Sequence, residues 1–455
     1  MLKICEIDNL QHKVYSVDRT LSSFQFNTNK RKTHQTMKSL AKRPEFIINS
    51  LLDLDFYKLT MGNFIHRYFP TVPIQLSFTC RTKGIALPDT VKEADLRREL
   101  DHVMTLRFSE EELSYLKSIP HSEGRNLFSD EYVEFLRTLQ LPQYELEYRG
   151  SQIYLIFPGE WGKSTYWETI SLSIINELHY RSEMDSLTVR EQEARYTLGH
   201  DRLMRKIKIL KQHPQITFSD FGTRRRFSGA WQEYVVRTLQ KKLASSQFVG
   251  TSNVFLAMKL GLQPIGTNAH ELPMVLATLM QDTDDELKDS QAKLRRLWFE
   301  LYGEKLAINL SDTFGSEFVF QTMLKEEAEK WIGFRQDSGI PLVFGERVIR
   351  FYKDHGIKTE EKLIVFSDGL DIETIVELES HFHGRIRVTF GWGTNLTNDL
   401  GFDPLSLVVK VTYANGHFTV KLSDTLGKAT GPQEEKDRYI RVFMYADGKA
   451  VKIVY

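Results

Sequence analysis

His270 and Glu271 close a short tip, Gly266 to Glu271, and carry the side chains best suited to chemistry in this chain. An imidazole changes charge near neutral pH and can accept a proton or a phosphoryl group. The tip follows an apolar run, and a second run, FVGTSN (248–253), precedes it. Between them lies the helical pattern Val254 to Leu260, ended by Gly261. An apolar run, a Gly/Thr/Ser/Asn tip and a helix form the rhythm of a βα unit, whose tips are where ligands bind in parallel folds.

Other tips repeat the composition. Ser219, Asp220, Gly222, Thr223 and Arg224 to Arg226 form one, and Gly250 to Asn253 another. Ser311 and Asp312 follow, then Arg335, Asp337, Ser338 and Gly339. Ser367, Asp368 and Gly369 come next, and Gly391, Gly393, Thr394 and Asn395 last. Glycine lets backbone N–H groups approach an anion, arginine adds bidentate phosphate contacts, and aspartate holds a ribose diol or Mg²⁺. Such a mouth suits a sugar bearing several phosphates together with a divalent metal. Each feature alone has an ordinary explanation: a plain turn, a surface charge, a helix cap. Repetition at the same end of successive runs is what points to a site. GEWGKST (159–165) mimics a phosphate loop, but Phe157 stands where the first glycine is required. His381 and His383 lack a third ligand nearby and read as surface residues.

Seven apolar runs with such tips, from Ile216 to Asn395, predict a parallel β/α array, favouring a barrel over an open sheet. Before it, residues 47–70 read as a helix with Asp53 or Asp55 near its cap and Pro70 at its end. Residues 74–84 read as a strand, 91–140 as helices and 144–161 as a hairpin turning at Gly150. The expected fold class is α/β: an irregular β/α barrel with an N-terminal α+β domain completed by C-terminal strands. The expected divisions are an extension over 1–45, an α+β domain over 46–165 plus 410–455, a helical connection over 166–213 and a catalytic barrel over 214–409. The tail from about Ala414 is expected to pack on the N-terminal domain. Residues 1–45 are polar and basic and read as a loosely ordered tail, with Met37 as an alternative start. Glu6, Asp8 and Asp18 weaken any organelle address.

Composition narrows the partners. Lysine plus arginine and aspartate plus glutamate balance at 60 each among 455 residues, giving no reason to expect nucleic acid or an anionic membrane. No apolar run is long enough to span a bilayer, and two cysteines, Cys5 and Cys80, make no disulfide framework. A cytoplasmic setting is expected.

DLDFYKLTM (53–61), FSDFGTRRRFS (218–228), FVGTSN (248–253), GTNAHE (266–271), GFRQDSGIP (333–341), VFSDGLD (365–371), FGWGTNLTND (390–399) and KLSD (421–424) closely resemble the nicotinate phosphoribosyltransferase family. The resemblance spans about residues 47–425 and implies a homodimer with shared active sites. The implied reaction joins nicotinate to 5-phosphoribosyl 1-pyrophosphate, giving nicotinate mononucleotide and pyrophosphate. ATP hydrolysis, with Mg²⁺, is coupled through a phosphohistidine, and His270 matches the phosphorylated residue. Tyr57, from a partner subunit, and Phe221 match an aromatic pair that sandwiches the pyridine ring. Arg224, Arg335, Thr267 and Thr394 match substrate or phosphate contacts, joined by Gly369 and Gly393. Asp312 and Asp337 match acidic residues around the ribose, metal and histidine, and no metal ligand set is assigned. Glu271 or an aspartate is expected to orient the imidazole. A neutral Ser252 beside Arg224 suits the carboxylate of nicotinate, where the relative that takes nicotinamide carries an acid. Nicotinamide as the base, or a non-catalytic nucleotide-binding relative, are the alternatives. Met274, Ile340 and GEWGKST depart from the family pattern.

Overall fold

Alternating apolar residues in PIQLSFTC and LVVKVTYA produce the two strands at the heart of an antiparallel sheet. In the computed structural model these are β1 (Pro73–Cys80) and β10 (Leu407–Ala414). They pair antiparallel with Leu76 opposite Val411 and Phe78 opposite Val409. The hairpin β2 (Glu145–Arg149) and β3 (Gln152–Glu160) turns at Gly150, in the left-handed region at φ +58°. With β11 (His417–Phe418) the order is β11-β10-β1-β3-β2, so a late segment of the chain completes the N-terminal sheet. Strand geometry sends alternate residues to opposite faces. Leu407, Val409 and Val411 are buried, while Lys410 falls on the other face.

The structure describes residue 40, residues 42–121 and residues 124–445. Expectations for residues 1–39, including Met37 as a start, lie outside them. The chain divides into two units, Met1–Arg43 and Pro44–Tyr455, and the second contains both sheets.

The apolar runs after residue 216 form β4 (Phe218–Asp220), β5 (Phe248–Thr251), β6 (Ile308–Leu310), β7 (Gly333–Gln336), β8 (Leu363–Phe366) and β9 (Arg387–Trp392). They pair in parallel in the order β5-β4-β9-β8-β7-β6. The run at 264–268 is not a strand; it adds a single parallel bridge, Pro264 to Thr251. Proline has no N–H to extend a ladder.

Four helices matter for the site. α1 (Tyr57–Tyr68) starts without a side-chain cap: Asp53 bonds Arg226 and Asp55 bonds Ser252 instead. α2 (Trp167–Asp185) is buried along most of its length, and α3 (Val189–Gln212) follows it after a capping box at Thr188 and Glu191. α4 (Glu271–Leu279) begins at the residue after His270. The tail does not pack on the antiparallel sheet alone. Its helix α5 (Gln433–Val442) places Tyr439, Val442 and Phe443, with Val420 and Leu422, against Ala277, Leu287, Phe314 and Phe318 on the parallel side. Among the described residues no helix is long and apolar enough to cross a membrane.

Candidate active site

The C-terminal ends of β4, β7, β8 and β9 face β10 across a cavity of about 240 Å³. Tips of a parallel sheet are short and glycine-rich, so they place backbone and side chains close together at one mouth.

One end of the cavity is aromatic. Phe221 follows β4, and its ring lies against Gly391, where an added Cβ would sit 2.4 Å from the ring. Tyr57, the first residue of α1, lines the same space. Arg224 Nη1 donates to the Tyr57 hydroxyl at 3.3 Å, and that hydroxyl donates to Glu168 Oε1 at 3.2 Å. Arg224 also lies 3.9 Å from Asp55 Oδ2, which has no hydrogen-bond partner. Burial raises the Asp55 carboxyl above its ordinary range, although Arg224 and Ser252 oppose it. Tyr57, Phe221 and Arg224 thus put two aromatic rings and a guanidinium on one cavity, chemistry suited to a planar ring with an acidic substituent.

The other end is ionic. His270 Nε2 lies 3.0 Å from Asp337 Oδ2, 2.9 Å from Lys421 Nζ and 3.6 Å from Asp312 Oδ1. Its Nδ1 meets Thr313 Oγ1 at 2.9 Å. Burial and Lys421 lower the imidazole's pKa against the pull of Asp312 and Asp337, so the neutral ring is favoured. Burial pushes Asp337 up, but Arg335 and His270 outweigh it and hold the carboxyl well below the usual range. Arg335 reaches Asp337 Oδ1 at 3.0 Å, Ser367 Oγ at 2.9 Å and the Asn268 carbonyl at 3.1 Å, joining the tips of β7 and β8 to the His270 loop. Arg81, Lys410, Lys421 and Lys428 also line the cavity. Burial, with Lys421 and Arg81 nearby, drives the Lys410 amine well below its ordinary range. A buried amine among cations is stabilised by an incoming anion, so this end is built for a polyanion.

Residues 216–447 match the nicotinate phosphoribosyltransferase (NAPRTase) family, and residues 52–176 match its N-terminal domain. The chain belongs to the nicotinate phosphoribosyltransferase family. Nicotinate phosphoribosyltransferase from Vibrio cholerae is similar to it over 88% of this chain and 95% of that one, at 30% identity and a TM-score of 0.79. The enzyme from Porphyromonas gingivalis is similar over 88% of this chain and 100% of that one, at 28% identity and a TM-score of 0.78.

Most residues of the family motifs meet in one place. His270, Asp337, Tyr57, Phe221, Arg224, Arg335, Gly369, Gly393 and Thr394 all line the cavity. Three expected residues do not. Asp312 is buried behind His270, held by Ser338 and Lys421. Ser252 is buried and donates to Asp55 Oδ1 at 2.5 Å, so it does not face a substrate beside Arg224. Thr267 turns its carbonyl to Thr60 Oγ1 on α1. Tyr57 reaches the cavity from the same chain as Phe221, where the resemblance implies a partner subunit. Glu271 does not orient the imidazole: it bonds Lys58, Trp161 and Thr165, and Asp337 takes that place. His381 and His383 pair with Glu346 and Glu379 away from the cavity.

Sequence reasoning misses Glu168, Arg81, Lys410, Lys421 and Lys428. KLSD carries Lys421 within a family motif, but nothing in it marks the side chain as the partner of His270. Among the described residues no three His, Cys, Asp or Glu side chains are grouped to hold a metal. Asp337 and Asp368 nevertheless line the cavity, and buried Asp312 Oδ1 lacks a hydrogen-bond partner. This donor set fits Mg²⁺ carried on substrate phosphates and one or two carboxylates, as that ion is commonly bound.

Proposed function

We propose that this chain forms nicotinate mononucleotide and pyrophosphate from nicotinate and 5-phosphoribosyl 1-pyrophosphate, and that ATP drives the reaction by phosphorylating His270. The observation that carries this reading is one cavity holding the Tyr57/Phe221 pair with Arg224 at one end and His270 between Asp337 and Lys421 at the other. The ring of nicotinate lies between the aromatics with its carboxylate on Arg224. Its nitrogen then faces the ribose carbon whose bond to pyrophosphate breaks. That carbon becomes oxocarbenium-like, and the departing pyrophosphate gains charge beside Arg81, Lys410, Lys421 and Lys428. Mg²⁺, when bound, neutralises phosphate charge; Asp337 and Asp368 would hold it.

Phosphorylation uses the imidazole as nucleophile. If Nδ1–H donates to Thr313, Nε2 carries the lone pair, which accepts from Lys421 at 2.9 Å until it turns to attack the γ-phosphorus of ATP. The N–P bond forms as the bond to ADP breaks, and Lys421 meets the new phosphoryl oxygens. Water later takes the phosphoryl group, and that hydrolysis draws the synthesis forward. Tyr57 of the same chain supports a site complete in one polypeptide, in place of the shared dimer site that the resemblance implies.

One observation favours nicotinamide instead. Asp55 supplies a carboxyl next to Arg224 where Ser252 alone implies a neutral wall. Asp55, however, does not line the cavity and Arg224 does, which favours the acid. The test measures mononucleotide formed from nicotinate or nicotinamide with 5-phosphoribosyl 1-pyrophosphate, with and without ATP. Nicotinate is expected to be preferred, ATP to stimulate turnover, and His270→Ala to lose that stimulation while folding normally. Preference for the amide overturns the choice of base, and full ATP stimulation in His270→Ala overturns the phosphohistidine.

A further inference from the structure

Lys58 is fully buried, and its ammonium pairs with two carboxylates that line the cavity, Glu168 and Glu271. Its Nζ lies 2.5 Å from Glu168 Oε2, 2.7 Å from Glu271 Oε2 and 3.3 Å from Thr165 Oγ1, a partner for each of its three protons. Glu271 is peptide-bonded to His270 and opens α4. Its second oxygen accepts from Trp161 Nε1 and Thr165 Oγ1, each at 2.7 Å, which fixes the carboxylate. Glu168 accepts from the Tyr57 hydroxyl, and Tyr57 precedes Lys58 on α1. Two sequence-adjacent pairs, His270–Glu271 and Tyr57–Lys58, are therefore joined by one buried ion pair.

Two further contacts tie the same elements. Thr60 on α1 donates to the Thr267 carbonyl. Gly266 packs so closely on α1 that an added Cβ would sit 3.0 Å from the Tyr57 nitrogen. The loop bearing His270 and the first turn of α1 therefore move together or strain these bonds. Close-packed interiors transmit such shifts rather than absorb them.

We propose that Lys58 is a positioning residue that couples the phosphorylation state of His270 to the geometry of the pyridine pocket, an inference that rests on the phosphohistidine reading above. A phosphoryl group on Nε2 pushes against Asp337 and pulls on Lys421, shifting the loop of His270. Glu271 follows, Lys58 carries the shift to α1, and the Tyr57 ring and Glu168 adjust around the base. Coupling of this kind is reciprocal, so bound base also alters how readily His270 is phosphorylated.

Glu271→Gln tests this, because it removes the charge facing Lys58 while keeping an oxygen for Trp161 and Thr165. The parent and the variant are incubated with γ-labelled ATP, and the KM for nicotinate and kcat are measured with and without ATP. The expected variant takes the label, but ATP changes its nicotinate KM at least tenfold less than in the parent. An unaltered ATP effect on KM in a labelled variant overturns the role of Lys58 while leaving the phosphohistidine intact. Label and activity lost in proportion to melting temperature also overturn it, showing a structural ion pair only. A parent that takes no label overturns both readings. Should Glu271→Gln not fold, Lys58→Met with Glu271→Gln keeps the original net charge of the cluster and is read by the same measurements.

Discussion

Arg224 and Arg226 sit two residues apart on one tip but do different work, and replacing each with methionine separates them. Arg226 is 1% exposed and grips Asp53 through Nη1 to Oδ1 at 2.6 Å and Nη2 to Oδ2 at 2.8 Å, with Gln232 Oε1 at 3.2 Å. Removing one member of a buried ion pair costs roughly 3–5 kcal/mol, mostly from the charge left behind. Asp53 is 14% exposed and keeps Asn253 Nδ2 at 2.7 Å, so water and the amide replace part of what it loses. The lower end, about 3 kcal/mol, is therefore expected for Arg226→Met. That is a large share of a total near 5–15 kcal/mol and is readily seen in a urea transition. Adding Asp53→Asn should restore about 1 kcal/mol or more, since the stranded charge is gone. Both variants should keep the KM for nicotinate. Arg224, half-buried and lining the cavity, behaves in the opposite way. Arg224→Met should leave the urea midpoint nearly in place. It should raise the nicotinate KM about 10- to 150-fold, the equivalent of losing a charged hydrogen bond of roughly 1.5–3 kcal/mol. A normal urea midpoint with a raised KM in Arg226→Met would refute this division of labour.

Labelling of His270 should persist at pH 6, where an ordinary imidazole of pKa near 6.5 is roughly three-quarters protonated. The sign follows from burial and Lys421, which lower the folded pKa and keep the nucleophile neutral as pH falls. The same shift makes stability from this site fully present above about pH 6.5 and progressively lost below it, towards the folded pKa. A labelling rate already halved at pH 6.5 contradicts this. Lys421→Met removes the cation 2.9 Å from Nε2, leaving Asp312 and Asp337 to raise the imidazole's pKa. Its labelling profile should move to higher pH, and an unmoved profile would exclude Lys421 from that role. Gly391→Ala drives a methyl group into the Phe221 ring and should raise the nicotinate KM at least tenfold, read by steady-state kinetics. An unchanged KM would show that Phe221 does not fix the base.

Much of the site is legible in the sequence because tips of parallel strands are marked locally. Gly, Thr, Ser, Asp and Arg after short apolar runs identify positions such as Arg335 and Thr394 before any contact is known. What is not legible arises from long-range contact. Lys410 sits in an apolar strand and reads as an outward residue, until β10 pairs with β1 and brings that face over the parallel sheet. Ser252 lies on a proper tip, but Asp55 from a distant segment claims its hydroxyl. The run at Pro264 has the right apolar character, yet proline cannot donate to a ladder and only one bridge forms. The helix of the tail is hidden by its charge: only Tyr439 and Val442 within it are buried, and their partners include Ala277, Leu287, Phe314 and Phe318, more than a hundred residues earlier.

The position of β10 bears on how the protein is made. Residues 407–414 leave the ribosome more than three hundred residues after the strand they flank. Until they emerge, one edge of β1 stands open to any passing chain, the hazard typical of unpaired strands. The same segment delivers Lys410 to the cavity, so a product cut short before it loses a strand of the sheet and a lysine of the cavity lining together. The sheet and the cavity are thereby both completed only once translation has passed Ala414.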